Sequence, residues 1–427
     1  MKLALGAMTV ACLMLFAAST LAGGGPRTKV ESRTSSGDVT SAESDLGSVT
    51  PNGRYVAFNS DADNLPGTDG GNTEQVFLRD RKTGKVTLVS RANNGDPGDD
   101  TSEDASVSAN GRRIVFESEA SNLPGGVVDI DQVYVRDLKT DRTKLVSKTS
   151  GGTPADDESF DGAISANGKI AVFESHGDNL PGALASDELQ VYVHDIKRGK
   201  TKLASRTSAG APADQDSQNS GISASGRIVI FESQADNLPG AHGNGDYQAY
   251  RRDLKTGRTK LVSKTSAGIP ADGDSFDVQI SDSGRHVAFT SYAENLPGAV
   301  SGFSQVYLHN RKTGKTKLVS RTSGGDPADG GYSQNGYPSI DGRFVAFESD
   351  ATNLPEANGF TQIYLRDMKR GRTTLISQNN AGEPALEGGD TPSNRVLAKE
   401  ASIVFFDASG DNLPGVDDQV YSRGPLR

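Results

Sequence analysis

Aspartate is the residue type in this chain whose spacing most invites a chemical reading. It recurs as Asp99-Asp100, Asp156-Asp157, Asp214 with Asp216, and Asp272 with Asp274, and Asp329 stands at the same place in a further copy. Carboxylates gathered in this way can do three things. They can hold calcium, which takes six to eight oxygen ligands. They can divide into the acid and base of glycoside or peptide hydrolysis. They can also set up a field that steers a basic partner. The stretches that carry them, 93 to 110, 150 to 168, 208 to 226, 266 to 284 and 323 to 342, contain no Lys or Arg.

The first two chemistries find little further support. Gly67 to Glu74 is an oxygen-rich loop of the calcium-binding kind, yet the equivalent segment Gly298 to Ser304 has no carboxylate, so the repeat itself encodes no site. No cofactor is therefore expected, and a calcium-modulated adhesive module stands only as an alternative. The acids are too numerous for any one pair to be singled out as catalytic. Gly-x-Ser-x-Gly is absent; Gly221 to Gly226 is a near miss on a turn, and a nucleophile elbow also needs a following helix. The histidines His176, His194, His242, His286 and His309 show no ligand spacing and are expected at the surface.

The elements that position the aspartates follow from a repeat. Asn-Leu-Pro occurs at Asn64, Asn122, Asn179, Asn237, Asn295, Asn353 and Asn412, spaced 58, 57, 58, 58, 58 and 59 residues apart. An aromatic residue stands six positions before each, from Phe58 to Phe406, inside an alternating run such as Arg54-Tyr55-Val56-Ala57-Phe58. Period two predicts a half-buried strand. A second aromatic recurs after the loop, in runs such as Gln132-Val133-Tyr134-Val135-Arg136-Asp137. A further run follows a turn of the Lys82-Thr83-Gly84-Lys85 kind, where Gly supplies the positive φ of a hairpin. With the run ahead of each tight turn, such as Ala163 to Gly168, the unit is four antiparallel strands. No segment of the mature chain shows a helical apolar stripe. Asn-Leu-Pro reads as structural: Asn bonds the local backbone, Leu plugs the loop onto the sheet and Pro fixes φ.

A lone sheet of this size cannot bury both faces, so the units must stack, and radial stacking gives a β-propeller. The ends of the chain favour a closed ring. The last copy stops at Gln419 to Arg423 without a fourth strand. Thr28-Lys29-Val30-Glu31-Ser32-Arg33-Thr34-Ser35 matches Thr316 to Ser323 at six of eight positions. The expectation is an all-β, seven-bladed propeller over 28–424, with 28–35 completing the last blade and 425–427 a tail. In such a ring the aspartate stretches feed the innermost strands and should surround one mouth of the channel. The hairpin turns on the opposite face collect Arg54, Lys82, Lys85, Lys139, Arg142, Lys197, Arg198, Lys200, Lys312 and Lys315.

Composition agrees. The 427 residues hold 45 basic and 55 acidic side chains, a net charge of −10, which argues against non-specific nucleic-acid binding. Only 34% is hydrophobic and there is no Trp, which excludes a polytopic membrane protein. Lys2 followed by the apolar run Leu3 to Ala18 and the small residues to Ala22 predicts a secretory leader at 1–22, with 23–27 a short linker. The one cysteine, Cys12, lies inside that leader, so the mature chain holds no disulfide.

Ser-Ala-Asn-Gly-Arg-Arg-Ile-Val-Phe-Glu-Ser (108 to 118) and Ser-Ile-Asp-Gly-Arg-Phe-Val-Ala-Phe-Glu-Ser (339 to 349) resemble the WD40-like PD40 repeat of bacterial TolB-type propellers. TolB proper carries a separate N-terminal domain and a six-bladed ring that contacts Pal. Seven repeats are counted here, so the resemblance implies an exported propeller that binds something and supplies no catalytic residues to map. The expectation is a periplasmic or extracellular, non-enzymatic monomer. It would bind a protein or cell-envelope partner through Asp99, Asp100, Asp156, Asp157, Asp214, Asp216, Asp272, Asp274 and Asp329, with no nucleic acid and no membrane insertion after leader removal. A secreted enzyme using acidic channel residues is the alternative.

Overall fold

The seven repeats each form one sheet in the structure, a computed structural model that describes residues 26–68, 73–184, 188–241, 243–386, 389–390, 396–398, 402–408, 412–414 and 419–426. Six sheets are four-stranded antiparallel meanders; the second is Ser102–Val107, Arg113–Ser118, Gln132–Asp137 and Arg142–Leu145. In the seventh, Arg27–Val30 pairs with Gln419–Gly424, which pairs with Ile403–Ala408, and the short strands Gly389–Asp390 and Leu397–Ala398 both pair with Ile403–Ala408 on its other side. The protein is thus an all-β, seven-bladed propeller, with no helix among the described residues. The leader expected at 1–22 lies outside the described residues, as do Asp69 to Asn72 of the calcium-like loop and His242.

The N-terminal strand closes the ring with the same contacts that every other blade makes within itself. In six blades a serine just after the fourth strand donates to the glutamine heading the third, as Ser147 Oγ does to Gln132 Oε1 and Ser263 Oγ to Gln248 Oε1, at 2.6–2.8 Å. In the seventh that serine is Ser32, 2.7 Å from Gln419 Oε1. In six blades a threonine of the fourth strand also clips onto the preceding blade: Thr143 Oγ1 donates to Arg91 O at 2.6 Å, and Thr28 Oγ1 to Gln378 O at 2.5 Å, whereas the first blade has Val86 at this place. The strand starts at Arg27, opposite Gly424, one residue earlier than the sequence match suggests.

The second strands differ from expectation. They are buried on both faces, all six residues of Ile228–Ser233 and of Phe344–Ser349 included. Each sheet is sandwiched between two neighbours, so the apolar alternation records two cores where it was expected to mark one core and one wet face. The recurring aromatics pair across strands within each blade, Phe116 with Tyr134 at 5.7 Å and Phe289 with Tyr307 at 5.6 Å between ring centroids. The Asn-Leu-Pro loop is a plug: Leu123 is buried, and Asn122 Nδ2 donates to Pro97 O at 2.8 Å.

Two further details correct or sharpen the sequence reading. His194, His286 and His309 are buried rather than at the surface. His194 and His309 stand where Arg136, Arg252 and Arg366 stand in other blades, and like those arginines they bond the threonine of the fourth strand, here Thr201 and Thr316. Burial and the neighbouring cations Lys148 and Lys264 lower both imidazoles to about 4, so they pack as neutral rings. Second, the hydroxyls of Tyr134, Tyr192, Tyr250, Tyr307 and Tyr364 are buried without a hydrogen-bond partner. Removing an unpaired hydroxyl costs almost nothing. Tyr250→Phe should therefore leave the melting temperature within about 1 °C of wild type in a thermal scan.

Candidate functional site: the acidic mouth and its carboxylate collar

The first strands of the blades lie innermost and line the channel. At its lower end, near the first hairpin turns, they enclose a cavity of about 170 Å³ bounded by Ser48, Ser106, Ile164, Ile222, Ile280 and Tyr337, among others. This end mixes apolar side chains with the polar groups of Ser48, Ser106 and Gln279. The turns there fit tightly: Gly342 has φ +69°, and a side-chain carbon at that position would meet the His286 ring at 2.4 Å.

The upper end is built differently. In the second to sixth blades the first strand starts with a buried serine and two residues later bulges, the register shifting between Glu103 and Ser106 in the second blade and at the equivalent place in the next four. The bulge residues are Asp104, Asp161, Asn219, Asp277 and Asn335, all at φ between 48° and 52°. Asp and Asn tolerate this left-handed conformation better than other side chains that bear a Cβ, which is a backbone reason for an acid at this point. The bulge turns the next blade's N–H groups toward the preceding blade, and acids on the second strands accept them. Glu117 Oε2 takes Asp161 N at 2.8 Å, Glu174 Oε1 takes Ser220 N at 2.7 Å, and Asp407 Oδ1 takes Leu46 N at 3.0 Å across the ring closure. In the fifth blade, where the second strand offers Thr290 in place of Glu, Asp277 accepts from Asn335 N instead.

The result is a collar of carboxyls inside the ring. Glu174 and Glu232 are 0% and 1% exposed, and each keeps one oxygen, Oε2, without a hydrogen-bond partner. Desolvation is the largest influence on Glu103, Asp104, Glu117, Asp161, Glu174, Glu232 and Asp277, and raises each of them. Glu232 rises to about 7, with Asp277 adding to the effect and Gln218 and Asn219 opposing it. Glu174 is pushed well up by burial and then by Asp161. Asp104 and Glu117 face each other and are both raised: Asp104 by burial and then by Asp161, against a hydrogen bond with Glu117 that lowers it, and Glu117 by burial and then by the charges of Asp104 and Asp161. Such a cluster holds protons at neutral pH. Among the described residues, no three His, Cys, Asp or Glu side chains converge as metal ligands would.

The nine aspartates singled out from sequence stand above this collar, at the loops entering the first strands. Asp99, Asp156, Asp214 and Asp272 are exposed, and each accepts the backbone N–H of its own blade's Asn-Leu-Pro asparagine at 3.2–3.3 Å. Asp329 inverts that bond, its N–H donating to Asn353 Oδ1 at 3.0 Å. Asp216 and Asp274 reach sideways and accept from Leu189 N and Tyr247 N at 2.9 and 2.8 Å. Asp100 and Asp157 accept from the residue after them in the chain and are exposed. These acids therefore pin the loops of the upper face and leave other oxygens facing solvent. Glu103, Asp104, Glu117, Asp161, Glu174, Glu232 and Asp277 were not singled out. Their signal is in the sequence: Asp or Asn follows Ser102, Ser159, Ser217, Ser275 and Ser333 at a fixed interval of two.

On the opposite face much of the positive charge is spent. Arg54, Arg112, Arg227 and Arg343 each form a two-pronged pair with the aspartate closing the third strand, Asp80, Asp137, Asp253 and Asp367, the closer prong at 2.6–2.8 Å. The arginines hold Asp80, Asp253 and Asp367 at about 2. Lys82, Lys85, Lys139, Arg142, Lys197, Lys200, Lys312 and Lys315 remain exposed on the turns.

No family model matches the chain, and no curated protein matches it either. Solved structures do match. An oligogalacturonate lyase in complex with manganese aligns at 14% identity over 90% of both chains, with a TM-score of 0.54. The likeness is one of fold. The propeller domain of the Trilobed protease from Pyrococcus furiosus, described as having an open velcro topology, aligns at 10% identity over 91% of this chain and 97% of its own, with a TM-score of 0.54. Here, by contrast, Arg27–Val30 closes the ring. TolB from Acinetobacter baumannii aligns at 13% identity over 87% of this chain and 80% of its own, with a TM-score of 0.41.

Proposed function

We propose that this protein is an exported, non-enzymatic propeller whose acidic face receives a basic segment of a protein or cell-envelope partner. The observation that carries the reading is the separation of charge along the channel axis. The exposed loop aspartates carry the charge of the upper mouth, above the protonated collar, and the stretches 93–110, 150–168, 208–226, 266–284 and 323–342 that hold them contain no Lys or Arg. Like charges around a mouth with low-dielectric walls focus the field outward and favour cationic ligands. The same field disfavours a polyanion such as oligogalacturonate, so the lyases' substrate does not transfer to this chain.

A second reading, an acid–base enzyme, is favoured by one observation, the proton-holding pair Asp104 and Glu117. It ranks lower because Glu117 spends Oε2 on Asp161 N, as its counterparts spend theirs on the next blade. The test is capture from the native cell envelope by immobilised protein across a salt series. Capture is expected to fall at least about tenfold between 50 and 500 mM salt, because exposed charges are screened over that range. Capture that does not respond to salt contradicts the reading.

A further inference from the structure

Two exposed tyrosines depart from the repeat on the acidic face. Tyr292 follows the second strand of the fifth blade, where other blades carry Asp61, Glu119, His176, Gln234 and Asp350. Tyr332 precedes the first strand of the sixth, where others carry Glu43, Thr101, Glu158, Asp216 and Asp274. Blades fold with polar side chains at both places, so blade packing does not call for a ring at either. Yet each tyrosine is 46% exposed, and they touch in a T-shaped contact at 6.4 Å. Phe276 packs against Tyr292 in a tilted contact at 5.6 Å and Phe303 meets Tyr332 edge-on at 5.4 Å, making a four-ring cluster beside the channel mouth. Ring planes crossing at 76° and 70° form a corner rather than a flat wall. Glu294, Asp329 and Asp350 belong to the same loops, Asp350 Oδ1 accepting Tyr332 N at 2.5 Å, and no Lys or Arg occurs in 266–284, 291–305 or 323–342.

We propose that this cluster is the anchor for an arginine side chain of the basic partner. Exposed rings gathered on one loop cluster mark an interaction site, and carboxylates without cations around them select a positive occupant. A guanidinium stacks on a tyrosine face while its N–H fork reaches a carboxylate, which a lysine ammonium does less well. The inference rests on the acidic-face reading and names the group that reading leaves open.

The test is calorimetric titration of the whole protein with octa-arginine and octa-lysine peptides, which carry equal charge. Octa-arginine is expected to bind at least about fivefold more tightly, and the paired change Tyr292→Ser, Tyr332→Ser to remove that preference with an unchanged melting temperature. Should the double variant unfold, Tyr292→Ser alone is read in the same way. Equal binding of both peptides, insensitive to the tyrosines, overturns the anchor and leaves the acidic-face reading intact. Binding of neither overturns both. Tyrosine-dependent binding of a neutral hexasaccharide with no arginine preference overturns the anchor in favour of a glycan platform.

Discussion

Deleting residues 27–34 is expected to lower the melting temperature by about 10 °C or more, since the segment carries several buried hydrogen bonds at roughly 1 kcal/mol each and the buried Val30 at roughly 2. What is lost is specific. Thr28 holds Gln378 O of the sixth blade and accepts from Arg423, Ser32 caps Gln419, and Glu31 pairs with Arg81 of the first blade at 2.8 Å. The segment therefore ties the sixth, seventh and first blades together. Adding back a peptide of the deleted sequence should restore part of the loss. An unchanged melt for the deletion would mean that the ring is held without its latch.

The second large effect concerns pH. Each collar carboxyl has a raised pKa in the folded state, so between its unfolded and folded values the folded protein binds a proton that the unfolded chain has released. Stability from that group is full below about pH 4.5 and declines as pH rises through the folded value. Glu232, raised from 4.5 to about 7, alone accounts for about 3 kcal/mol lost between pH 4.5 and pH 7. The Arg-paired aspartates oppose this only at the acid end: Asp80, Asp253 and Asp367, held at about 2, contribute stability that is present above about pH 4 and lost as pH falls through 2. The melting temperature should therefore peak near pH 4 to 5 and fall steadily toward pH 8. Glu174→Gln keeps an acceptor for Ser220 N and cannot ionise, so it should raise the melting temperature at pH 8 and change it little at pH 5. Glu174→Ala, which strands that N–H, should destabilise at both pH values by about 1–3 kcal/mol. A flat pH profile, or a glutamine variant weaker than wild type at pH 8, would contradict a protonated collar.

Much of the fold was legible because repetition multiplies weak signals. One Asn-Leu-Pro is a turn; seven at a near-constant period are a ring, and the fourth strand missing after Tyr421 points to Thr28 as its replacement. The burial of the second strands on both faces was harder to see, because alternation of Val and Phe with smaller residues looks the same whether the far side meets water or another sheet. The histidines misled for a related reason: His194 and His309 replace arginines that are themselves buried, so the polar character of the position said nothing about its depth. The loop aspartates were visible as an acidic tier, but their pinning of the Asn-Leu-Pro turns depends on distances that only the folded blade sets. The collar was missed because its members come from two strands of adjacent blades, Glu117 with Asp161 and Glu174 with Ser220, which lie more than forty residues apart in the chain. The bulge that joins them is encoded locally, by Asp or Asn two residues after a serine, and was obscured by the more conspicuous aspartates before it.

On the proposed function, the upper, acidic face of the ring is the working surface. The most direct measurement compares two sets of variants in the same envelope-capture assay at low salt. One set neutralises the exposed acids, Asp156→Asn, Asp157→Asn, Asp214→Asn and Asp216→Asn together. The other neutralises the opposite face, Lys139→Gln, Lys197→Gln, Lys200→Gln and Lys312→Gln together. Loss of capture by about tenfold or more in the first set, with the second indistinguishable from wild type, is the expected result. Capture that survives the first set and falls with the second would place the working surface on the other face of the ring.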